Sequence, residues 1–437
     1  MIKSPWQLLP TTNTSTFDDF ATLFIAYITD RLADTDRVDI VWDRYSSNSL
    51  KAATRKKRGE GVRKHVTGAT KVPGKWADFL KNDQNKTELF NFLSEKVFGQ
   101  SFPSGKSIYI SHGRATLTNE GNSANEVVES AMGRTNHEEA DTRILLHVRH
   151  AALGGKKLIE VRTGDSDIVV ILMALFHNIK QGTNLQDIWV FFGAGKASRH
   201  LSIATMTEAI GRPKCESLLM FHAITGADTT SGFKSCGKKK AWEAIKAVPQ
   251  IEDVFGKCVA TPYERVSMHL PEFKVVEKFI ISMYSKNIDA HSVNLARKIL
   301  FFQRSQNVEH IPPCQNSLYQ HYLRAVYQAG VWASSLHLIM NLPGPDGYGW
   351  NHSPDDTSGI KWFPNWITQR EAMEECRKLF LTCSCNGPCT RCKCANAGLN
   401  CTTMCSCFCS GKTPGDANYV ILEIICSWQL SFTTFFS

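Results

Sequence analysis

The stretch LIEVRTGDSDIVVIL, Leu158 to Leu172, decides the fold class. It reads as a β-rich run (Leu158–Arg162), an acidic turn (Gly164-Asp165-Ser166-Asp167) and a second β-rich run (Ile168–Leu172). Further out, β-rich runs stand at Val38–Trp42, Ser107–Ser111 and Ile188–Phe192. Helical periodicity fills several of the gaps. Phe17 to Leu32 is one such segment, and Glu139 to Ala152 is another, with Ile144, Leu145, Val148 and Ala152 on one face. Strands separated by helices predict an α/β domain with a parallel sheet covered on both sides. Such sheets bind ligands at the carboxyl ends of their strands, so acidic residues just after a strand are the first candidates for chemistry.

The chain has 437 residues, enough for two or three domains. Hydrophobic residues at 43% and charged residues at 21% exclude a mostly disordered protein. The net charge of +9 suits a polyanionic partner, although charge alone says little. The first thirty residues carry no basic, apolar and small-residue leader. The apolar stretch Tyr419–Phe436 is interrupted by Glu423 and by Ser, Thr and Gln, so no membrane span is expected. A soluble protein of a reducing compartment is the expectation.

Four acidic signatures recur in order. Asp43 directly follows the Val38–Trp42 run. His137-Glu138-Glu139-Ala140-Asp141 opens a helix. Asp165-Ser166-Asp167 sits in the turn quoted above. Gly226-Ala227-Asp228 comes last, followed by Gly237-Lys238-Lys239-Lys240-Ala241. Any one of these motifs is an ordinary helix cap or loop. Together they supply the carboxylate oxygens that Mg²⁺ or Mn²⁺ prefers and that metal-assisted phosphodiester cleavage needs. The order resembles the flap-endonuclease, or 5′-nuclease, branch of the PIN-like nucleases. That resemblance implies a PIN-like sheet and a metal site built from Asp43, Glu139, Asp141, Asp165, Asp167 and Asp228. It also implies a phosphate-gripping hairpin at Lys238, Lys239 and Lys240. Those nucleases begin with a strand ending in a further metal-binding Asp. No such strand is expected here before the helix at Phe17, and Asp18 and Asp19 read as that helix's N-terminal charges.

Between Arg44 and Lys75 stand ten Lys or Arg against one acid, Glu60. This run reads as a solvated helix face, as a nuclear localisation signal at Arg55–Arg58, or as a phosphate-gripping arch beside Asp43. The nuclease resemblance implies a Lys and an Arg that steady the scissile phosphate, and Lys56 and Arg63 are the matching candidates. His137, His147, His150 and His222 lie near the acidic motifs and read as structural histidines.

Nine of the fifteen cysteines fall between Cys383 and Cys409, at Cys383, Cys385, Cys389, Cys392, Cys394, Cys401, Cys405, Cys407 and Cys409. Cys-x-Cys pairs do not readily bridge to each other, which weighs against disulfides. Nine thiolates can serve two tetrahedral zinc ions with one to spare, or three if some sulfurs bridge. The stretch CSCNGPCTRCKCANAGLNCTTMCSCFC resembles a single CXC motif of the tesmin/TSO1 type, which implies three Zn²⁺ and contact with DNA through Arg391 and Lys393. The family's minor-groove tyrosine is replaced here by Arg391. Most of the chain also resembles a group of transposon-associated animal proteins, through NHEEADTR-x-LLH (Asn136–His147), the segment His222–Ser231 and the CXC motif. Together these imply a nuclear, mobile-element-derived protein acting on DNA or RNA.

The expected layout is an α/β domain over 1–250, a helical extension over 251–340, a linker over 341–375, the cysteine module over 376–412 and an irregular tail over 413–437. Within the extension, Asn294–Gln303 and Asn316–Leu338 carry the helical period. The linker is read from Pro343, Gly344, Pro345, Gly347, Gly349 and Pro354. Cys215, Cys236, Cys258 and Cys314 are expected to be buried thiols.

Overall fold

Thr16 starts the first helix. Its hydroxyl accepts the Asp19 amide while the Asp19 carboxylate accepts the Thr16 amide, a reciprocal cap. The helix, α1 (Phe17–Asp34), buries Phe17, Phe20, Phe24, Ile28 and Leu32 along one face. Asp18 and Asp19 occupy its first turn, as their positions predict. The structure, a computed structural model, describes residues 2–3, 14–46, 49–51, 61–120, 128–193, 195–303, 310–355, 359–367, 383 and 393–396.

One eight-stranded sheet organises the first unit. Its strands are β1 (Ile2–Lys3), β2 (Arg37–Val41), β3 (Ser107–His112), β4 (Ala115–Thr118), β5 (Val128–Glu129), β6 (Leu158–Thr163), β7 (Asp187–Phe192) and β8 (Arg199–Ser202). They lie in the order β5-β4-β3-β2-β1-β6-β7-β8. The central pairings, β3 with β2, β2 with β1, β1 with β6 and β6 with β7, are parallel. The outer ones, β3 with β4, β4 with β5 and β7 with β8, are antiparallel. Two expectations are corrected here. The sheet is mixed, because hairpins close both of its edges. A strand does precede α1: Ile2 pairs with Ile40 on one side and Arg162 on the other.

Helices α2 (Trp76–Leu80), α3 (Asp83–Phe98), α4 (Ala140–Leu153), α5 (Ser166–Lys180), α6 (Ile203–Ile210) and α7 (Arg212–Ile224) come next in the chain. Alternation along β2 sends Val38, Ile40 and Trp42 into one core with α1 and α3, and Val41 into a second core with α4 and α5. Helical cover on both faces holds for β2 and β3. Beyond β1 one face is open, with Leu158 61% and Trp189 40% exposed. Ile168–Leu172 lies inside α5 and is not a strand. Asp165 caps this helix, and its apolar residues run on to Ile179, so helical burial overrides the β-branched run.

The helices α8 (Lys238–Ile245), α9 (Gln250–Ala260), α10 (Pro271–Tyr284), α11 (Val293–Gln303) and α12 (Gln315–Ala333) follow. They do not form a separate extension. Helix α7 packs against α5, α9 and α12, so one core runs from the sheet into the helices. The expected linker also departs from its reading. β9 (Trp350–Asp355) and β10 (Gly359–Pro364) pair as an antiparallel hairpin, and Tyr348 and Trp350 enter the main core. Gly349 permits the approach, since a Cβ there would meet the Gln320 carbonyl oxygen at 2.4 Å.

The first compact unit spans residues 1–365 and the second 366–437. In the second unit, Cys383 and Cys394 are buried thiols, and Lys393–Asn396 forms a short helix, α13, with Lys393 exposed. Cys385, Cys389, Cys392, Cys401, Cys405, Cys407, Cys409 and Arg391 lie outside the described residues, as does the tail from 413. Of the singly placed thiols, Cys215, Cys236 and Cys258 are buried as expected, and Cys314 is half-buried.

Candidate acidic site

Strand order in the sheet reverses at β1, whose parallel neighbours are β2 and β6. Asp43 follows the carboxyl end of β2, and Asp165 follows that of β6. Two strand spacings separate those ends, about 10 Å. Helices α4 and α5 both begin at this edge, so their exposed backbone N–H groups and dipoles favour negative charge there. The pairings reflect it. The Ala140 amide at the start of α4 donates to Asp43 Oδ1 at 2.8 Å, and the Asp167 amide at the start of α5 donates to Asp165 Oδ1 at 3.0 Å. Tyr45 donates its hydroxyl to the other Asp43 oxygen at 3.3 Å. The first-turn position of Asp141 in α4 and the N-cap position of Glu139 place both at the same helix end.

Asp228 arrives from the loop between α7 and α8. Gly226 makes the turn possible at φ +112°, where a Cβ would meet the Gly232 Cα at 2.9 Å. A residue outside the predicted set joins Asp228 to the others. Lys51 Nζ lies 2.8 Å from Glu139 Oε2 and 3.0 Å from Asp228 Oδ2. Burial opposes the Lys51 charge, but Glu139, Asp228 and Asp141 together outweigh it and hold the ammonium well above the usual lysine range. The sequence signal for Lys51 is its place as the first basic residue after Arg44 in the cationic run.

Asp167 is held from another direction. His222 Nε2, on α7, lies 2.8 Å from Asp167 Oδ1, with both side chains largely buried. Nearby, Lys238 donates to the carbonyls of His222 and Gly226 and to the Thr225 hydroxyl, at 3.1, 2.6 and 3.1 Å. Burial pushes its ammonium down to about 8, partly opposed by Asp167. Lys238 therefore closes the end of α7, where carbonyls lack helical partners. Lys239 and Lys240 are exposed in the same first turn, with Gly237 as N-cap.

Arg63 is drawn elsewhere. Its guanidinium pairs with Glu88 and donates to Asn85 Oδ1 at 2.9 Å. Lys56 lies outside the described residues. His137 is satisfied by Thr142 and by the His337 carbonyl, and burial pushes it down to about 4. His147 Nδ1 bonds Asp39, while its buried Nε2 has no partner. His150 Nδ1 meets Arg37 at 2.9 Å.

Carboxylates on both sides of β1, two helix N-termini and the Lys51 ammonium thus share this edge of the sheet. Hard oxygen donors of this kind suit Mg²⁺ or Mn²⁺. Among the described residues, no three His, Cys, Asp or Glu side chains stand close enough to hold one ion as they are placed. Among the described residues, Lys51 places a cation between Glu139 and Asp228. No helix among the described residues is long and apolar enough to cross a membrane. No family model, curated protein or solved structure matches this chain.

Proposed function

We propose that the first unit is a PIN-like, metal-dependent phosphodiesterase acting on DNA or RNA, joined to a zinc-cluster DNA-binding module in a nuclear protein of mobile-element origin. One observation supports this reading: Asp43, Glu139 and Asp141 follow strand and helix ends on one side of β1, and Asp165 and Asp167 on the other, so they flank the point where strand order reverses. That is where open α/β sheets bind their ligands. Asp43, Glu139, Asp141, Asp165, Asp167 and Asp228 would hold Mg²⁺ or Mn²⁺. Their oxygens fit such ions chemically, and the ammonium between Glu139 and Asp228 is a sign that the cluster calls for positive charge. A bound divalent ion would stabilise charge developing on the phosphodiester. The protein's own part is to orient the carboxylates. The Ala140 amide fixes Asp43, the Asp167 amide fixes Asp165, and His222 fixes Asp167. Lys239 offers exposed charge to backbone phosphates, and Lys240 would do so on leaving its contact with the Cys236 thiol. In the second unit, the nine cysteines from Cys383 to Cys409 would hold zinc, with Arg391 and Lys393 facing DNA.

The second reading is a DNA-binding protein that keeps the fold without turnover. It is favoured by the Lys51 ammonium, which pairs with two of the six carboxylates and offsets one of their charges. Labelled flap, hairpin and single-stranded DNA, with matching RNA, separate the two when incubated with protein in Mg²⁺ or Mn²⁺. Cleavage that disappears in Asp165→Ala/Asp167→Ala supports the phosphodiesterase. Binding without cleavage by either protein supports the inactive form. Elemental analysis for zinc, and the salt dependence of DNA affinity in Arg391→Ala/Lys393→Ala, test the cysteine module.

A further inference from the structure

The Lys51 ammonium touches Glu139 and Asp228 at once and feels the field of Asp141. We infer that Lys51 is a built-in counter-cation of the acidic site, which a divalent ion must displace before it can bind. This inference rests on the phosphodiesterase reading, whose regulation it specifies. Three carboxylates crowded at one helix end repel one another, and an internal ammonium relieves that repulsion in the metal-free protein. An ammonium hydrogen-bonded to two carboxylates and a metal ion coordinated by the same oxygens need the same space. The like charges of Lys51 and the ion exclude sharing it.

The anchoring of Lys51 makes an exchange feasible. Leu50 packs against the main core and holds the segment in place, while the Lys51 side chain reaches the carboxylates. A lysine stem is flexible and its head is a compact charge, so it can swing without moving the backbone far. Once displaced, the ammonium needs another anion. A backbone phosphate of a bound nucleic acid, lying at the carboxyl edge of the sheet, is the partner of matching charge. Metal entry and nucleic-acid binding are then coupled: each provides what the other's arrival removes, and each strengthens the other.

The test measures Mn²⁺ binding to the full-length, zinc-loaded protein by the electron paramagnetic resonance signal of free Mn²⁺, with no reliance on cleavage. Lys51→Met removes the charge and keeps the stem, and the expected result is about tenfold tighter Mn²⁺ binding than wild type. Lys51→Gln serves the same purpose if the methionine variant folds poorly by circular dichroism. Lys51→Arg keeps the charge and should bind Mn²⁺ as weakly as wild type. A non-cleavable phosphorothioate duplex should tighten Mn²⁺ binding to wild type more than to Lys51→Met. Equal or weaker Mn²⁺ binding in both neutral variants, or tightening in Lys51→Arg as well, overturns the counter-cation while leaving the metal site standing. Mn²⁺ binding in none of the proteins overturns the metal-site reading itself, and the inference with it.

Discussion

Replacing Asp39 with alanine should destabilise the first unit severely, although Asp39 lies in the middle of β2, away from the carboxylate site at its end. Asp39 is buried and receives two hydrogen bonds from Arg37, Nε to Oδ2 at 2.7 Å and Nη2 to Oδ1 at 2.8 Å. His147 on α4 adds a third at 2.8 Å. Burial alone would raise the Asp39 carboxyl, but the Arg37 and His147 hydrogen bonds override it and hold the group well below the usual carboxylate range. Arg37 also lies 3.8 Å over the Tyr109 ring, which fixes it further. Removing the carboxylate strands a buried guanidinium and leaves a second nitrogen of a fully buried imidazole without a partner. Breaking a buried pair in this way costs about 3–5 kcal/mol. Because the network ties β2 to α4, its loss also frees the helix that carries Glu139 and Asp141. Urea unfolding followed by circular dichroism measures the cost, and Mn²⁺ binding measures the effect on the site. A loss under about 1 kcal/mol would refute the reasoning, since exposed pairs contribute no more than that.

Gly226→Ala forces a side chain into a left-handed backbone and against Gly232; it should cost about 1–3 kcal/mol in thermal or urea unfolding and weaken Mn²⁺ binding by shifting Asp228. Lys238→Met removes three hydrogen bonds from the end of α7. It should lower stability by about 1–3 kcal/mol while leaving the salt dependence of DNA binding unchanged, whereas a phosphate-gripping lysine would change the salt slope instead. Burial depresses His137 and His321 to about 4 and lowers His147 as well. Their unfolded forms take up protons first, so the stability they contribute is complete above about 6.5 and is lost as pH falls towards 4. Urea midpoints measured across that window should decline steadily on acidification.

Strands β2, β3, β6 and β7 and helices α1 and α4 were legible because each carries its own period. Ile168–Leu172 was not, because four β-branched residues in a row mimic a strand when the capping Asp165 is read as a turn. The two residues of β1 are too few to show any alternation. The order of the acidic motifs singled out Asp43, Glu139, Asp141, Asp165, Asp167 and Asp228, of which Asp43 and Asp165 follow the carboxyl ends of β2 and β6. What stayed hidden depends on packing across long separations: Lys51 meets Asp228 across 177 positions of sequence. Lys238 to Lys240 read as one cationic grip, but geometry turns Lys238 inward to carbonyls and sets the Lys240 ammonium against the Cys236 thiol, leaving Lys239 outside. The Pro- and Gly-rich stretch after residue 341 read as a linker because its anchors, Tyr348 and Trp350, are only two residues in a polar run.

The sheet itself is sewn together along a single short seam. β2 and β6 do not pair with each other; among the described residues the backbone ladder passes from one to the other through Ile2 and Lys3, with Ile2 paired to Arg162 of β6. On one side hang β2 to β5, with Asp43; on the other hang β6 to β8, with Asp165 and Asp167. Few hydrogen bonds cross a two-residue strand, so a pull that separates the halves meets its least resistance there. Amide exchange at this seam should be faster than in the longer ladders beside it. The spacing of the two carboxylate groups is thus set by the mechanically weakest line in the sheet, and loosening it by even one residue pair would spread the site before it unfolded the domain.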